Sequence, residues 1–290
     1  MVSPPSTHAS YQLVRVAGGA SAVYAAAYAE KMHPGAGPAA EAEALHVRQL
    51  QVAERLRAAT GEFVIWDVGL GAAANAIAVL RATRELSCPL RLISFDNTLE
   101  PLRFALQHQE ALGYVHPYGP ALQALAETGQ LRFTDGAHDV SWQLQLGDFP
   151  AWLAAPQLSG VPAPHAIMFD AFSPARNPAM WTLPLFTNLF QALDPERPCN
   201  LATYSRSTMI RVTLLLAGFF VGRGGAAGMK EETTVAANTL KLIAAPLDHR
   251  WLERARRSDC AEPLCASTYS RAALATESWI KLQSHRQFNP

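Results

Sequence analysis

Three short apolar runs, each stopping on glycine or aspartate with helical stretches between them, restrict this chain more than any other feature. Residues 63–68 (Phe-Val-Ile-Trp-Asp-Val) run into Gly69-Leu70-Gly71, residues 90–95 end at Asp96, and residues 166–169 end at Asp170. Runs this apolar suit strands buried on both faces, as in a parallel sheet covered by helices. The spacing predicts helices over 41–60, 72–86, 99–112, 149–154, 178–193 and 207–217, and a further strand over 201–204. Residues 130–133 and 141–146 are expected to pair as a hairpin across Asp135-Gly136. After the helix at 207–217 come two strand-like runs, 219–222 and 239–245, with no helix between them. Such a pair must be antiparallel, because a parallel return needs a longer crossover. The expected fold is therefore α/β, a mostly parallel sheet with helices on both faces, closed by an antiparallel C-terminal hairpin.

Ahead of this core, residues 11–16 form a possible strand, 21–28 suit strand or helix, and Glu30 to Pro38 is rich in turn formers. Residues 1–10 are polar and Pro-rich and are expected to be disordered. With 290 residues one core suffices. The division expected is an N-terminal extension over 11–60, a core over 61–247 and an Arg-rich tail or helix over 248–290.

Charge and cysteine usage exclude more than they assign. Lys plus Arg and Asp plus Glu each number 24, so no whole-molecule field attracts nucleic acid. The cluster Arg250, Arg254, Arg256 and Arg257 is a solvated helix face or a set of phosphate contacts. No signal peptide is visible, and the longest apolar stretch, 212–221, is too short to span a bilayer. A cytoplasmic protein without membrane contact is expected. Cys88, Cys199, Cys260 and Cys265 match no zinc or CxxC spacing, and His108, His116, His138 and His165 share no ligand spacing. Reduced thiols and no metal site are expected. Ser205 and Ser207 lack a GxSxG elbow, which argues against a hydrolase.

Open α/β sheets bind ligands at the carboxyl ends of their strands. In Asp67-Val68-Gly69-Leu70-Gly71, Gly69 and Gly71 let backbone approach a ligand, and Asp67 could accept from an ammonium group. The same spacing fits a nicotinamide fingerprint or a ligand-free turn. Asp96 suits the two hydroxyls of a ribose or the start of a helix. Asp148 suits an adenine amino group or a cap for the helix at 149. The most specific element begins at Asp170. There a carboxylate leaves a buried strand, an aromatic follows, and a Pro-bounded loop enters a helix. So constrained a loop at a strand end is built to position something.

Residues 170–181 read Asp170-Ala-Phe172-Ser-Pro174-Ala-Arg-Asn177-Pro178-Ala-Met180-Trp181, against a family pattern of approximately DxFxPxxNPxMW. Ala202-Thr203-Tyr204-Ser205, Arg211 with Ala217-Gly218-Phe219, and Gly228-Met229-Lys230-Glu231-Glu232 match further segments, with Glu231 where the family has Arg. The N-terminal stretch Tyr28 to Pro34, through Glu41-Ala42, resembles stand-alone members. Over residues 20–245 the chain resembles the MnmC-like tRNA 5-aminomethyl-2-thiouridine methyltransferases. The resemblance implies a Rossmann-like fold, S-adenosyl-L-methionine (SAM) as cofactor, tRNA as partner, and methyl transfer to the aminomethyl group of a modified wobble uridine. It implies that Asp170 holds the amine while Phe172 and Pro174 shape its pocket. Glu30 and His33 would close over the methionine end, or else lie in an exposed turn. The cofactor set would be Glu30, His33, Asp67, Gly69, Gly71, Asp96 and Asp148, with Asn177, Lys230 and Glu232 toward the substrate. The FAD-dependent oxidase domain of bifunctional members is not expected. Three other functions stay open: methylation of a small-molecule amine, an NAD(P)-linked oxidoreductase, and a non-catalytic module on the same fold.

Overall fold

A computed structural model describes residues 10–155 and 160–289. Apart from Ser10, the expectation for residues 1–10 lies outside the described residues. The chain begins with β1 (Tyr11–Arg15), β2 (Ser21–Ala25) and β3 (Glu30–Lys31), followed by α1 (Pro38–Ala42), a π-helical turn (Glu43–Arg48) and α2 (Val52–Ala58). Then come β4 (Phe63–Val68), α3 (Ala74–Thr83), β5 (Leu90–Asp96), α4 (Glu100–Gln107), α5 (Gln109–Leu112), α6 (Gly119–Thr128), β6 (Gln130–Asp135), β7 (His138–Leu146), α7 (Phe149–Ala154) and β8 (Ala166–Phe169). A 3-10 turn (Pro178–Trp181) leads to α8 (Leu183–Gln191), β9 (Asn200–Thr203), α9 (Thr208–Leu216), β10 (Phe220–Gly224) and β11 (Thr233–Ala237). After a 3-10 turn (Leu240–Leu242), α10 (His249–Arg256) and α11 (Thr276–Gln283) complete the described chain.

Strands β4 to β11 form one sheet in the order β10-β11-β9-β8-β4-β5-β7-β6, and β1 to β3 form a separate three-stranded sheet. Strand β4 pairs parallel with both β5 and β8, and all six of its residues are buried. That explains its unbroken apolar run. Its side chains still alternate between two cores, as the two-residue period of a strand requires. Phe63 and Ile65 join the core under α1–α4 and α6, whereas Val64, Trp66 and Val68 join the one under α7–α11. The second core is the more aromatic. Trp66 packs edge-on against Phe95, and Phe169 packs edge-on against Trp181. Each such ring contributes roughly 1.5–3 kcal/mol through burial.

The closing hairpin is present, but one of its strands lies elsewhere than expected. Strand β11 pairs antiparallel with both β9 and β10, so it is inserted between them. The run at 239–245 is not that strand. It makes a 3-10 turn and then passes beside β10 through a bridge from Gly222 to Pro246. Its alternating Leu240, Leu242 and Ile243 imitate a strand, while the true strand, Thr-Thr-Val-Ala-Ala, is made of smaller residues.

Three expected helices are interrupted, the stretch at 99–112 being split at His108 into α4 and α5. The stretch at 41–60 breaks at Gln51, whose backbone is left-handed. The stretch at 178–193 restarts at Thr182, whose side chain accepts from the Leu185 N–H and caps α8. Helix α6 was not anticipated. The C-terminal residues fold onto the molecule. Gln287 donates to the carbonyls of Val221 and Leu247 and accepts from the Val221 N–H, covering the outer edge of β10. Among the described residues no helix is long and apolar enough to cross a membrane, and no group of three His, Cys, Asp or Glu side chains could hold a metal ion.

Candidate active site

From β4 the chain proceeds outward to β5 and β7, then returns to the opposite side of β4 as β8. The carboxyl ends of β4 and β8 therefore flank the point where strand order reverses, the usual place for a ligand crevice. A cavity of about 820 Å³ opens there.

One side of it is built by turns. Gly69 has φ of +97°, and a Cβ on it would lie 2.9 Å from the Asp170 carbonyl oxygen. Glycine is thus required on two counts, and the β4 turn is held against the β8 loop. The Gly71 N–H donates to Asp96 Oδ2 at 2.8 Å, and the Thr98 N–H donates to Oδ1 at 3.2 Å. Burial pushes the Asp96 carboxyl above its ordinary range, against the pull of these N–H donors. Asp148 stands at the start of α7, but its side chain makes no capping hydrogen bond there. Gly69, Gly71, Asp96 and Asp148 all line the cavity.

Asp67 does not line it. Fully buried beneath the turn, its Oδ2 accepts from Ser94 Oγ at 2.8 Å, and that oxygen in turn accepts from Trp142 Nε1. Burial pushes Asp67 up to about 7. The alternation of β4 explains the correction: Asp67 points into the core beside Ile65, so it supports the turn instead of facing a ligand.

The other side is assembled around Asp170. Asn75, at the start of α3, donates from Nδ2 to Asp170 Oδ2 at 2.9 Å. His33 Nε2 lies 3.7 Å from the same oxygen and His46 Nε2 4.0 Å from it. Tyr204 donates its hydroxyl to the Ala171 carbonyl at 2.9 Å. Lys230 Nζ sits 3.9 Å above the Tyr204 ring and donates to its carbonyl. Burial lowers the Lys230 pKa. Phe172 stacks on Tyr28 with ring centroids 4.0 Å apart, and its carbonyl accepts from Trp181 Nε1 at 2.7 Å.

The remaining expected residues divide. His33, Asn177, Phe172 and Lys230 line the cavity. Glu30 lines it too, but its carboxylate is engaged by the N–H and hydroxyl of Ser173. It thus clamps the N-terminal segment to the Asp170 loop. Pro174 is half-buried in that loop and does not line the cavity. Glu232 also falls outside it, because its carboxylate pairs with buried Arg211 at 2.9 Å. Asn75 and His46 were not anticipated. Asn75 had a visible signal, a polar residue inside Ala72-Ala-Ala-Asn-Ala-Ile-Ala-Val-Leu.

The cavity residues fit SAM. The Asp96 carboxylate already accepts two N–H donors and has lone pairs left for ribose hydroxyls. Asp148 is free to meet the adenine amino group. The glycine turn leaves bare backbone for the methionine end.

Comparison with known proteins agrees with that reading. Residues 119–239 match the family described as S-adenosyl-L-methionine-dependent methyltransferase. The tRNA 5-methylaminomethyl-2-thiouridine biosynthesis bifunctional protein MnmC of Cupriavidus necator is 30% identical over 67% of this chain and 30% of its own length. Its counterpart in Ectopseudomonas mendocina is 31% identical over 79% of this chain and 36% of its own. The chain thus spans about a third of the length of these relatives. The crystal structure of MNMC2 from Aquifex aeolicus superposes with a TM-score of 0.69 at 24% identity, over 87% of this chain and 78% of the other, and shares the fold.

Fold and cavity together define a SAM-dependent methyltransferase. The nicotinamide alternative left open by the glycine spacing gives way to SAM. Within that class, the chain is similar to MnmC proteins over a segment of about a third of their length.

Proposed function

We propose that this domain methylates the exocyclic amine of an aminomethyl-substituted wobble uridine in tRNA. The observation that carries the reading is Asp170, a carboxylate on the cavity wall directly against the glycine turn. Its Oδ2 is engaged by Asn75, and among the described residues no donor reaches Oδ1. An acid so placed suits an amine acceptor. The printed names of the relatives supply the substrate class.

When bound, the cofactor supplies a sulfonium methyl for in-line displacement. The protein's part is proximity and proton handling. An alkylamine is mostly protonated at neutral pH, like a lysine side chain, and must lose a proton before it can attack. Asp170 Oδ1 holds the ammonium and takes that proton. Phe172 and Tyr28, stacked at the same wall, offer an aromatic surface to a base. Glu30 and His33, with the segment over 28–34, shield the reacting end from water. Lys230 and Asn177 contact the substrate. We place the reaction in the cytoplasm, with tRNA as partner and no membrane contact. Residues 11–60 act as the cofactor cover, 61–247 as the catalytic core and 248–290 as a buttress.

The net charge of zero favours a second reading, a small-molecule amine as acceptor. One experiment separates the two. Purified protein and labelled SAM are incubated with bulk tRNA from cells lacking their own terminal wobble methylase, followed by nucleoside mass analysis. Label in a methylaminomethyl uridine supports the tRNA reading. Label absent from tRNA but present in small amines moves the assignment to the second.

A further inference from the structure

Among the described residues, His46 is the one fully buried imidazole beside the Asp170 carboxylate. It sits in the π-helical turn Glu43–Arg48 and has no solvent exposure. Neither ring nitrogen has a hydrogen-bond partner among the described residues. An unmade buried hydrogen bond is costly, which points to a state in which it is made. Single π-turns are rare and concentrate at functional sites. Asp170 Oδ2 lies 4.0 Å from its Nε2, about 1 Å beyond hydrogen-bond length. His46 does not itself line the cavity, whereas Asp170 does. It thus lies behind the acid as seen from the cavity.

We propose that His46 is a positioning residue that donates to Asp170 Oδ2 once a cationic amine is bound, fixing the carboxylate with Oδ1 toward that amine. The proposal rests on the assignment of Asp170 as the amine holder. A small rotation of the carboxylate or the ring closes the gap. Oδ2 then accepts from both Asn75 and His46, and the carboxylate plane can no longer turn.

The chemistry requires such a donor to be uncharged. The ammonium must approach a cationic sulfonium donor at this wall, and Asp170 is the ammonium's counter-charge. A lysine or arginine behind the acid would neutralise it and repel both. An imidazole kept neutral by burial, with its pKa lowered to about 4, orients the acid without consuming its charge. The other groups around Asp170 leave this role to His46. Lys230 is committed to the Tyr204 carbonyl and ring, Tyr204 donates to Ala171, and His33 stands at the cavity surface.

The test uses binding, so it does not depend on knowing the acceptor. Sinefungin resembles SAM but carries an amine-bearing carbon in place of the methylated sulfur. S-adenosylhomocysteine lacks any cation there. Calorimetry gives the ratio of the two affinities for wild type, His46→Phe and His46→Gln. His46→Phe should lose roughly 10-fold or more in sinefungin affinity, with S-adenosylhomocysteine unchanged. His46→Gln, which keeps an N–H donor at similar reach, should stay within about threefold of wild type. In an Asp170→Asn background, His46→Phe should change the ratio no further. His46→Leu serves if the Phe variant does not fold. An unchanged ratio in the apolar variant, or a Gln variant as weak as Phe, overturns the proposal. A purely structural histidine would move the melting temperature and leave the ratio alone. Failure of wild type to methylate tRNA would break the tRNA reading without touching this ratio.

Discussion

The two walls of the cavity are made by different means. The cofactor wall comes from the carboxyl ends of neighbouring strands, with Gly71 and Asp96 bonded across only 25 positions of sequence. The acceptor wall gathers parts from across the chain. Asn75 reaches Asp170 over 95 positions, and Glu30 clamps Ser173 over 143. The first wall relies on backbone and turn geometry, which tolerate few residue types but need little help from elsewhere. The second relies on side chains held by other side chains, so each depends on the packing of a separate element. On the proposed function, a cofactor common to a whole class meets the local wall, and the acceptor meets the assembled one.

Four substitutions would break or sharpen this contrast. The largest effect is expected from Asp170→Asn, which should reduce methyl transfer by roughly 10²–10⁴-fold. SAM affinity by calorimetry should stay within about threefold, since the loss falls on the acceptor wall alone. Near-normal turnover would remove Asp170 from the chemistry. Asp96→Ala should act on the opposite wall and weaken SAM by roughly 10- to 100-fold through the loss of charge-assisted hydrogen bonds. An unchanged dissociation constant would contradict the ribose assignment.

Gly69→Ala joins the two walls. Its Cβ would press on the Asp170 carbonyl from a backbone at φ +97°, so both SAM affinity and turnover should fall together. Thermal unfolding should report a loss of about 1–3 kcal/mol. A variant impaired in only one of the two functions would show that the walls are not mechanically joined at this point.

The smallest effect concerns Asp67, under the cofactor wall. An ordinary aspartate titrates near 3.8, while burial lifts Asp67 to about 7. The folded state therefore holds this proton more tightly than the unfolded one, and Asp67 withdraws stability as pH rises from about 4 to about 7. Asparagine has no such proton. The stability of Asp67→Asn relative to wild type should grow across that window and level off above it. Urea midpoints at about pH 5 and about pH 8 measure the change. The same difference at both values would show that Asp67 is not held protonated by burial.

What could be read along the chain follows the same division. Gly69, Gly71, Asp96 and Asp170 were legible because each terminates an apolar strand, and strand ends in such folds share one rim. Asp67 misled because a residue inside a strand alternates faces, and the face it takes is settled by the sheet. Glu232 misled because its partner, Arg211, comes from a helix some twenty positions earlier and claims the carboxylate first. The strand expected at 239–245 failed for a related reason. Alternating leucines suit a strand or an extended loop equally, and the slot beside β9 goes to Thr233–Ala237. His46 was invisible, since a histidine in a helical stretch gives no sign of what lies above its ring.

The amino-acid sequence by itself determined the parallel sheet, its antiparallel closure and the acids at its rim, because strand periodicity and glycine turns act over a few residues. Only the tertiary structure decided which polar side chains surround Asp170. Long-range packing chooses those neighbours, and no short segment encodes which distant element will be laid against it.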